Sequence, residues 1–465
     1  MAGQHRDRAA VTGLRVLLVA LSLLALGATG ASASTRHHKR GVDYHHNAVI
    51  FVHGFEGSGA QFESQKLRLT SNGYPARYIT VFEYNSLEFS SALKGGSVQA
   101  QEGPLFTRMD HLIARMKKLT HRSKVDLLAH SLGTRLMQDY LNSSHKRAAT
   151  VGHYVNMDGF PENSLPGGVP TLALWGTKGP ISSPGRRIKG AQNVQVRDAS
   201  HVQVATCPFS FKHFYKFFTG SRPRTARIVP QKGFITLSGR ALNFPQNSGL
   251  SGATIQVWSI NQATGQRTGK KPIASITVGG SGYFGPIKAR AGKRYEFASL
   301  RPGEPTHHFY YEPFIRSDHL IRLLESDALR SAGGAPDPSS VAMVILRYKE
   351  LWGDQGEQSD VLKINGLKVC NSTTCPLSKE VNGLFAADFN HDGKSETTDT
   401  WPAYQQLGFF VSSVDVFAPA HTPPTGKVTV SIQDRGHGPT RSLTFPNFAG
   451  TTDDVTVQLN DYDQP

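Results

Sequence analysis

Residues Val125 to Gly133 read V-D-L-L-A-H-S-L-G, and their reading decides the fold. Val125 to Ala129 form a short apolar run of strand type, and Thr134 to Leu141 carry on with helical character. Between them Ser131 stands in the frame G-x-S-x-G, with Ala129 in place of the first glycine. A strand that turns this sharply into a helix needs small flanking residues, and the turn pushes the serine oxygen clear of the sheet. The start of the helix offers free N–H groups and a dipole that favours developing negative charge.

Two companions stand in order around the turn. Upstream, Ala48 to Val52 (A-V-I-F-V) reads as a strand that runs directly into His53-Gly54-Phe55-Glu56-Gly57. Downstream, Asn193 to Arg197 reads as a strand, followed by Asp198-Ala199-Ser200-His201 and a helix from Phe209 to Phe218. A histidine on such a loop can reach back to the serine and take its proton. From about Asn47 to Gly220 the chain resembles the α/β-hydrolase superfamily, in particular minimal secreted bacterial lipases and esterases of the A-H-S-x-G type. The resemblance implies a serine carboxylester hydrolase, with Ser131 as nucleophile, His201 as general base and the N–H groups of Phe55 and Leu132 as oxyanion donors. It implies no cofactor for catalysis.

The acid departs from the family pattern. The loop after the strand Pro170 to Trp175, where the acid is expected, runs from Gly176 to Gly190 without an aspartate or glutamate. Tyr154 to Met157 reads as the preceding strand, and Asp158 at its end, in N-M-D-G-F, is taken as the partner of His201. Glu162 is the fallback, and Asp198 lies too near His201 in sequence. A loop-capping role for Asp158 beside Gly159 is the competing reading.

Elsewhere in this domain Tyr78 to Tyr84 reads as a strand. Phe106, Met109, Leu112, Ile113, Met116 and Leu119 recur at helical spacing. Asn85 to Gly103 reads as a surface loop or a mobile flap. The short separation of Ser131 and His201 leaves no room for a large cap and predicts a shallow, exposed site.

The fold class is therefore α/β, a minimal hydrolase domain followed by one or two β-sandwich domains. Residues 1–33 combine Arg6, Arg8 and Arg15, the apolar run Val16 to Leu26 and Ala31-Ser32-Ala33, the pattern of a signal peptide. That run is short for a membrane span, and the expected location is extracellular. Residues 34–46 read as a disordered, histidine-containing segment, 47–220 as the catalytic domain and 221–232 as a basic linker. Residues 233–324 alternate like sandwich strands; G-A-x-x-x-V-W and G-S-G-Y-F-G-P resemble a transthyretin-like, carboxypeptidase-regulatory module. The aromatic run Thr306 to Phe314 reads as a core strand or as a face toward substrate or partner. Residues 325–465 form a third, β-rich region.

In that region Asp388, Asn390, Asp392, Lys394, Glu396 and Asp399, with Gly393 among them, follow the spacing of a calcium loop without clear flanking helices. A structural calcium ion or a metal-free Asx turn both fit. Cys370 and Cys375 are close enough to form a disulfide, and Cys207 reads as a small buried hydrophobe.

The net charge of +16 favours anionic surfaces, such as a lipid interface or a cell envelope, approached peripherally. No pattern for nucleic-acid recognition accompanies it. The expected substrate is a carboxylic ester, on a lipid or on a polymer surface. The competing readings are a polyester or cell-envelope ester depolymerase held in place by the β-domains, an acyltransferase, and a non-catalytic surface-binding protein. Acyl length and oligomeric state are not fixed by the sequence.

Overall fold

Strand β1 (Ala48–Val52) is apolar at every position and fully buried, the pattern of a strand covered on both faces. It lies inside a six-stranded sheet with β2 (Ile79–Phe82), β3 (Val125–His130), β4 (Val151–Met157), β5 (Thr171–Gly176) and β6 (Gln192–Val196). Their order is β2-β1-β3-β4-β5-β6, and every neighbouring pair is parallel. The computed structural model describes residues 42–94, 99–182, 185–326, 337–406 and 410–462. The expected signal peptide, and residues 34–41 of the segment after it, lie outside the described residues.

Helices cover both faces, as the apolar spacing predicts. On one side α2 (Gln99–Thr120) packs Met109, Ile113 and Met116 against Ile50 and Leu127, beside α3 (Leu132–Asn142). On the other, α1 (Glu63–Ser71) and α6 (Pro208–Thr219) bury Leu69, Phe211 and Phe214 against Phe51 and Leu128. Two short helices, α4 (His145–Ala148) and α5 (His201–Thr206), complete the layer. The segment after Asn85 is no simple surface loop, because Phe89 and Ala92 enter the core. No helix among the described residues is long and apolar enough to cross a membrane.

The basic linker is held too. Arg68, fully buried on α1, donates to the Ala226 carbonyl at 3.0 Å, and Asn72 donates to that of Thr225 at 2.8 Å. Beyond it come β7 (Phe234–Asn243), β8 (Ser248–Gly249), β9 (Thr254–Ser259), β10 (Ala274–Thr277), β11 (Tyr283–Arg290), β12 (Tyr295–Leu300), β13 (Thr306–Tyr311) and β14 (Asp318–Glu325). The remaining strands are β15 (Met343–Leu346), β16 (Val361–Ile364), β17 (Leu367–Lys368), β18 (Gly383–Ala387), β19 (Val411–Asp415), β20 (Lys427–Gln433), β21 (Arg441–Pro446) and β22 (Asp453–Gln458), with a short helix α7 (Pro402–Gln406).

The two expected β-regions have largely separate cores but share a sheet. One eight-stranded sheet, β10-β9-β12-β13-β22-β15-β18-β19, runs through both expected regions, because β13 pairs in parallel with β22. A four-stranded sheet, β11-β7-β14 with β8 paired to β7, packs on its first half through Leu237, Val257, Phe297 and Phe309. A second, β17-β16-β20-β21, packs on the other half through Leu362, Val430, Ile345 and Val457. The aromatic run at Thr306 becomes β13 and is buried from His307 to Tyr311, as a core strand requires.

Cys370 and Cys375 are a correction: both are buried and free, so the expected disulfide is not formed. The turn that it would have clipped is already closed by other bonds. Cys375 N–H donates to Asn371 O at 2.9 Å and Thr374 Oγ1 to Val369 O at 2.6 Å. Burial, with Cys375 beside it, pushes the Cys370 thiol up and keeps it protonated. Cys207 is buried, as a small hydrophobe would be.

Candidate active site

Ser131 sits between β3 and α3 at φ 52° and ψ −126°, a conformation that L-residues rarely adopt. Its N–H donates to Met157 O at 3.1 Å, and its carbonyl accepts from Thr134 N–H at 2.9 Å. The surroundings explain the two glycines. A Cβ on Gly133 would lie 2.3 Å from the His53 carbonyl oxygen, and one on Gly54 would lie 2.7 Å from Ser131 Cβ. The loop after β1 therefore touches the serine turn only because these side chains are missing. Phe55 follows Gly54 in that loop, and Leu132 opens α3, where the first N–H groups have no partner within the helix.

Asp158 ends β4, the neighbour of β3, also at positive φ (46°). Its Oδ2 lies 2.7 Å from His201 Nδ1, and each residue is 1% exposed. The other contacts of Asp158 come from the loop that has no acid. Arg186 Nη2 and Gly176 N–H donate to Oδ1 at 2.6 and 2.9 Å, and Ser182 Oγ donates to Oδ2 at 2.8 Å. That loop thus supplies donors where the family pattern expects an acceptor. Burial alone would raise the Asp158 carboxyl, but the hydrogen bond and charge of His201, then Arg186 and the Gly176 N–H, hold it at about 2. Glu162 instead bonds through its backbone to Arg187 and Lys189, and Asp198 faces solvent with its side chain 85% exposed.

His201 Nε2 is buried and has no hydrogen-bond partner, so the serine–histidine bond is not made in this structure. Catalytic hydrogen bonds often close only once substrate is present. His130 Nε2 donates to the His201 carbonyl at 3.0 Å, and its ring lies 4.5 Å from that of His201. Burial, then the neighbouring His201, lowers His130 to about 3 and keeps it neutral.

The site is less exposed than its sequence suggests, since His201 and Asp158 are both buried. Phe410, from the region before β19, stacks at 6.3 Å from the His201 ring. Together with Glu56 it lines a mainly apolar cavity of about 340 Å3 that includes Leu87, Phe244, Val344 and Phe385. The expectation of an exposed site counted only residues up to 220, whereas Phe410 from the β-rich region lies against the His201 ring. Sequence reading also missed the supports that those sheets bring to the loop after β1. Arg322 on β14 pairs with buried Glu83 at 2.7 Å, Glu83 lies 3.6 Å from His53 Nε2, and Asn247 Nδ2 donates to Gly57 O at 2.8 Å.

The residues of the expected calcium loop lie between β18 and β19. Asp388 Oδ2 accepts from Gly393 N–H at 2.9 Å, Asn390 Oδ1 accepts from Asp392 N–H at 3.0 Å, and Lys394 Nζ lies 3.6 Å from Asp392. Buried oxygens of Asp388, Glu396 and Asp415 have no hydrogen-bond partner, and Asp399 is exposed. Among the described residues no group of three or more His, Cys, Asp and Glu side chains is disposed to hold a metal.

Family comparisons divide the chain along these lines. A class 2 lipase model matches residues 46–156, a lipase C-terminal domain model matches 233–328, and a further C-terminal-domain model matches 334–463. The matches support a lipase-like α/β-hydrolase, an ester hydrolase in the broad sense. Over residues 233–324, where the sequence resembles a transthyretin-like module, the family match is to the lipase C-terminal domain. No curated protein matches the chain.

Among solved structures, the chain is similar to Aspergillus fumigatus lipase B, at 12% identity over 39% of this chain and 54% of that one (TM-score 0.29). It is also similar to the Bordetella parapertussis poly(3-hydroxybutyrate) depolymerase LpqC, at 15% identity over 41% and 86% (TM-score 0.27). A Listeria innocua gene product shares 12% identity over 38% and 96% (TM-score 0.29). Such slight likenesses carry no argument about substrate.

The Asp158 carboxyl is held below the value of about 3.9 that it takes in an unfolded chain. Its ionised form therefore adds stability that is complete above that value and lost as pH falls through about 2. Denaturant melts of the parent and of Asp158→Asn across this acid range check it. The variant is expected to show a shallower decline of stability with falling pH.

Proposed function

We propose that this chain hydrolyses carboxylic esters with a long apolar acyl group, through an acyl-enzyme on Ser131. The observation that carries the reading is the buried Asp158–His201 contact of 2.7 Å, on the strand next to a serine at positive φ. In this mechanism Ser131 attacks the ester carbonyl as His201 takes its proton. Asp158 holds the imidazole in register and balances its charge. The N–H groups of Phe55 and Leu132 receive the oxyanion. His201 returns its proton to the leaving alcohol, then activates the water that releases the acid. A carboxylate already ionised at neutral pH and aimed at Nδ1 supports this assignment over a loop-capping role.

The acyl length rests on the cavity. Its lining is mainly apolar and includes Glu56, next to Phe55 in the chain, and Phe410, whose ring lies 6.3 Å from that of His201. An apolar cavity beside this loop and ring suits an alkyl chain better than a polar polymer. Exported residence, read from residues 1–33, and peripheral contact with an anionic lipid surface, read from the charge, belong to the same proposal.

Calcium at Asp388–Asp399 would be structural and remote from the chemistry. Its support is the set of partnerless carboxylate oxygens on Asp388, Glu396 and Asp415. Burial, then the charge of Asp388 and Glu396, raises Asp415 to about 6, a repulsion that a cation would relieve. Binding would have to draw these groups together.

Three measurements test the reading. Ser131→Ala is expected to abolish p-nitrophenyl ester hydrolysis and covalent labelling by a fluorophosphonate; labelling that survives refutes the nucleophile. Val344→Trp fills the cavity, so its kcat/KM on p-nitrophenyl palmitate should fall at least about tenfold more than on the butyrate. Calcium chloride should raise the thermal midpoint of EDTA-treated protein but not that of Asp388→Asn; equal response in both rejects the ion site.

A further inference from the structure

A second group of buried charges lies where the β-sheets meet the loops around His201. Glu350, just after β15, is 0% exposed and spends both carboxylate oxygens on the catalytic domain. Its Oε1 accepts from Val202 N–H at 2.5 Å, and its Oε2 accepts from Ser200 Oγ. These donors flank His201 on either side. On the opposite side of the same backbone, His130 Nε2 meets the His201 carbonyl at 3.0 Å. The histidine is thereby fixed between its own domain and the β-sheets.

The turn that presents Glu350 is itself rigid. Buried Arg347 forms two parallel hydrogen bonds with Asp360, at 3.0 and 2.9 Å, and Arg347 Nη2 also donates to the Glu350 carbonyl at 2.6 Å. Arg435 donates to Asp360 at 2.9 Å, to the Glu350 carbonyl at 2.5 Å and to Gln203 Oε1 at 3.1 Å, and it stacks on Trp352 at 3.8 Å. A paired, bidentate arginine and aspartate keep their geometry far better than a surface contact does. Beside this turn Glu380, also 0% exposed, accepts from Ile181 N–H at 3.4 Å on the loop that braces Asp158. Burial, then the adjacent Glu350, raises the Glu380 carboxyl to about 10.

We propose that Glu350 is a positioning residue for His201, so that the β-rich region completes the catalytic centre. The proposal rests on the catalytic role assigned to His201 above. The carboxylate sets where the backbone at Ser200–Val202 sits, and hence where the imidazole lies between Asp158 and Ser131. A small displacement of such a base costs rate without much change in substrate binding. The catalytic domain alone lacks this hold.

The test uses the full chain and p-nitrophenyl butyrate. Activity that persists in Ser131→Ala removes the premise and says nothing of Glu350. With the premise intact, Glu350→Ala is expected to lower kcat by about thirtyfold while KM moves less than about twofold. Glu350→Gln keeps an acceptor for Val202 N–H and should recover to within about threefold of the parent. Ser200→Ala removes one of the two grips with little risk to folding; it should lower kcat severalfold at an unchanged thermal midpoint. Three results overturn the proposal. One is a folded Glu350→Ala with parental kcat, another is Ser200→Ala with parental kcat. The third is equal loss in the Ala and Gln variants that tracks a fall in thermal midpoint.

Discussion

The close approach of two backbones governs this molecule. The carbonyl of His53 at the end of β1 lies where a Gly133 side chain would be, 2.3 Å from its Cβ position, and the serine turn exists only under that condition. With it go the positive φ of Ser131 and the close approach of Gly54, where a Cβ would lie 2.7 Å from that of Ser131. Strain of this kind persists where the surrounding structure leaves no alternative. Here β3 is buried throughout and flanked by β1 and β4, so the turn cannot relax by shifting its strand.

Buried charge is the second constraint. Asp158 would be costly inside the protein if unpaired, yet it meets His201, Arg186, Ser182 and the Gly176 N–H. Glu350 meets donors on both sides of His201, and Glu83 meets Arg322. Each carboxylate faces a loop of the reaction centre, and two of these three contacts cross from the β-sheets. Removing the sheets would leave open polar groups around the site, a more serious defect than loss of apolar area.

The parts legible in the sequence were those encoded by local pattern. Alternating and continuous apolar runs gave the parallel sheet, and the helical spacing of Phe106 to Met116 gave α2. The sharp turn and its small neighbours marked Ser131. Asp158 was reachable by elimination, because the loop after β5 contains no acid. What stayed hidden depends on contacts far apart in the chain. The pairing of Ser200 with Glu350 and of Glu83 with Arg322 leaves no local trace. The parallel pairing of β13 with β22 joins residues far apart in sequence, so a boundary drawn from composition near residue 325 could not reveal the shared sheet. The free cysteines failed for a related reason: proximity in sequence says nothing of whether hydrogen bonds already close the turn.

Continuity of the eight-stranded sheet changes how the accessory region should be viewed. Two separate modules on linkers would move independently of the hydrolase and could only tether it. One sheet that runs from β10 at one end to β19 at the other joins both supports, because its first half packs against the strand of Arg322 and its second half presents Phe410 and the turn of Glu350. Force applied to either half is carried by backbone hydrogen bonds instead of a flexible hinge. Support for the oxyanion loop and support for the histidine are thus fixed relative to each other. A serine and a histidine contributed by different strands require that kind of alignment, and a tether would not provide it.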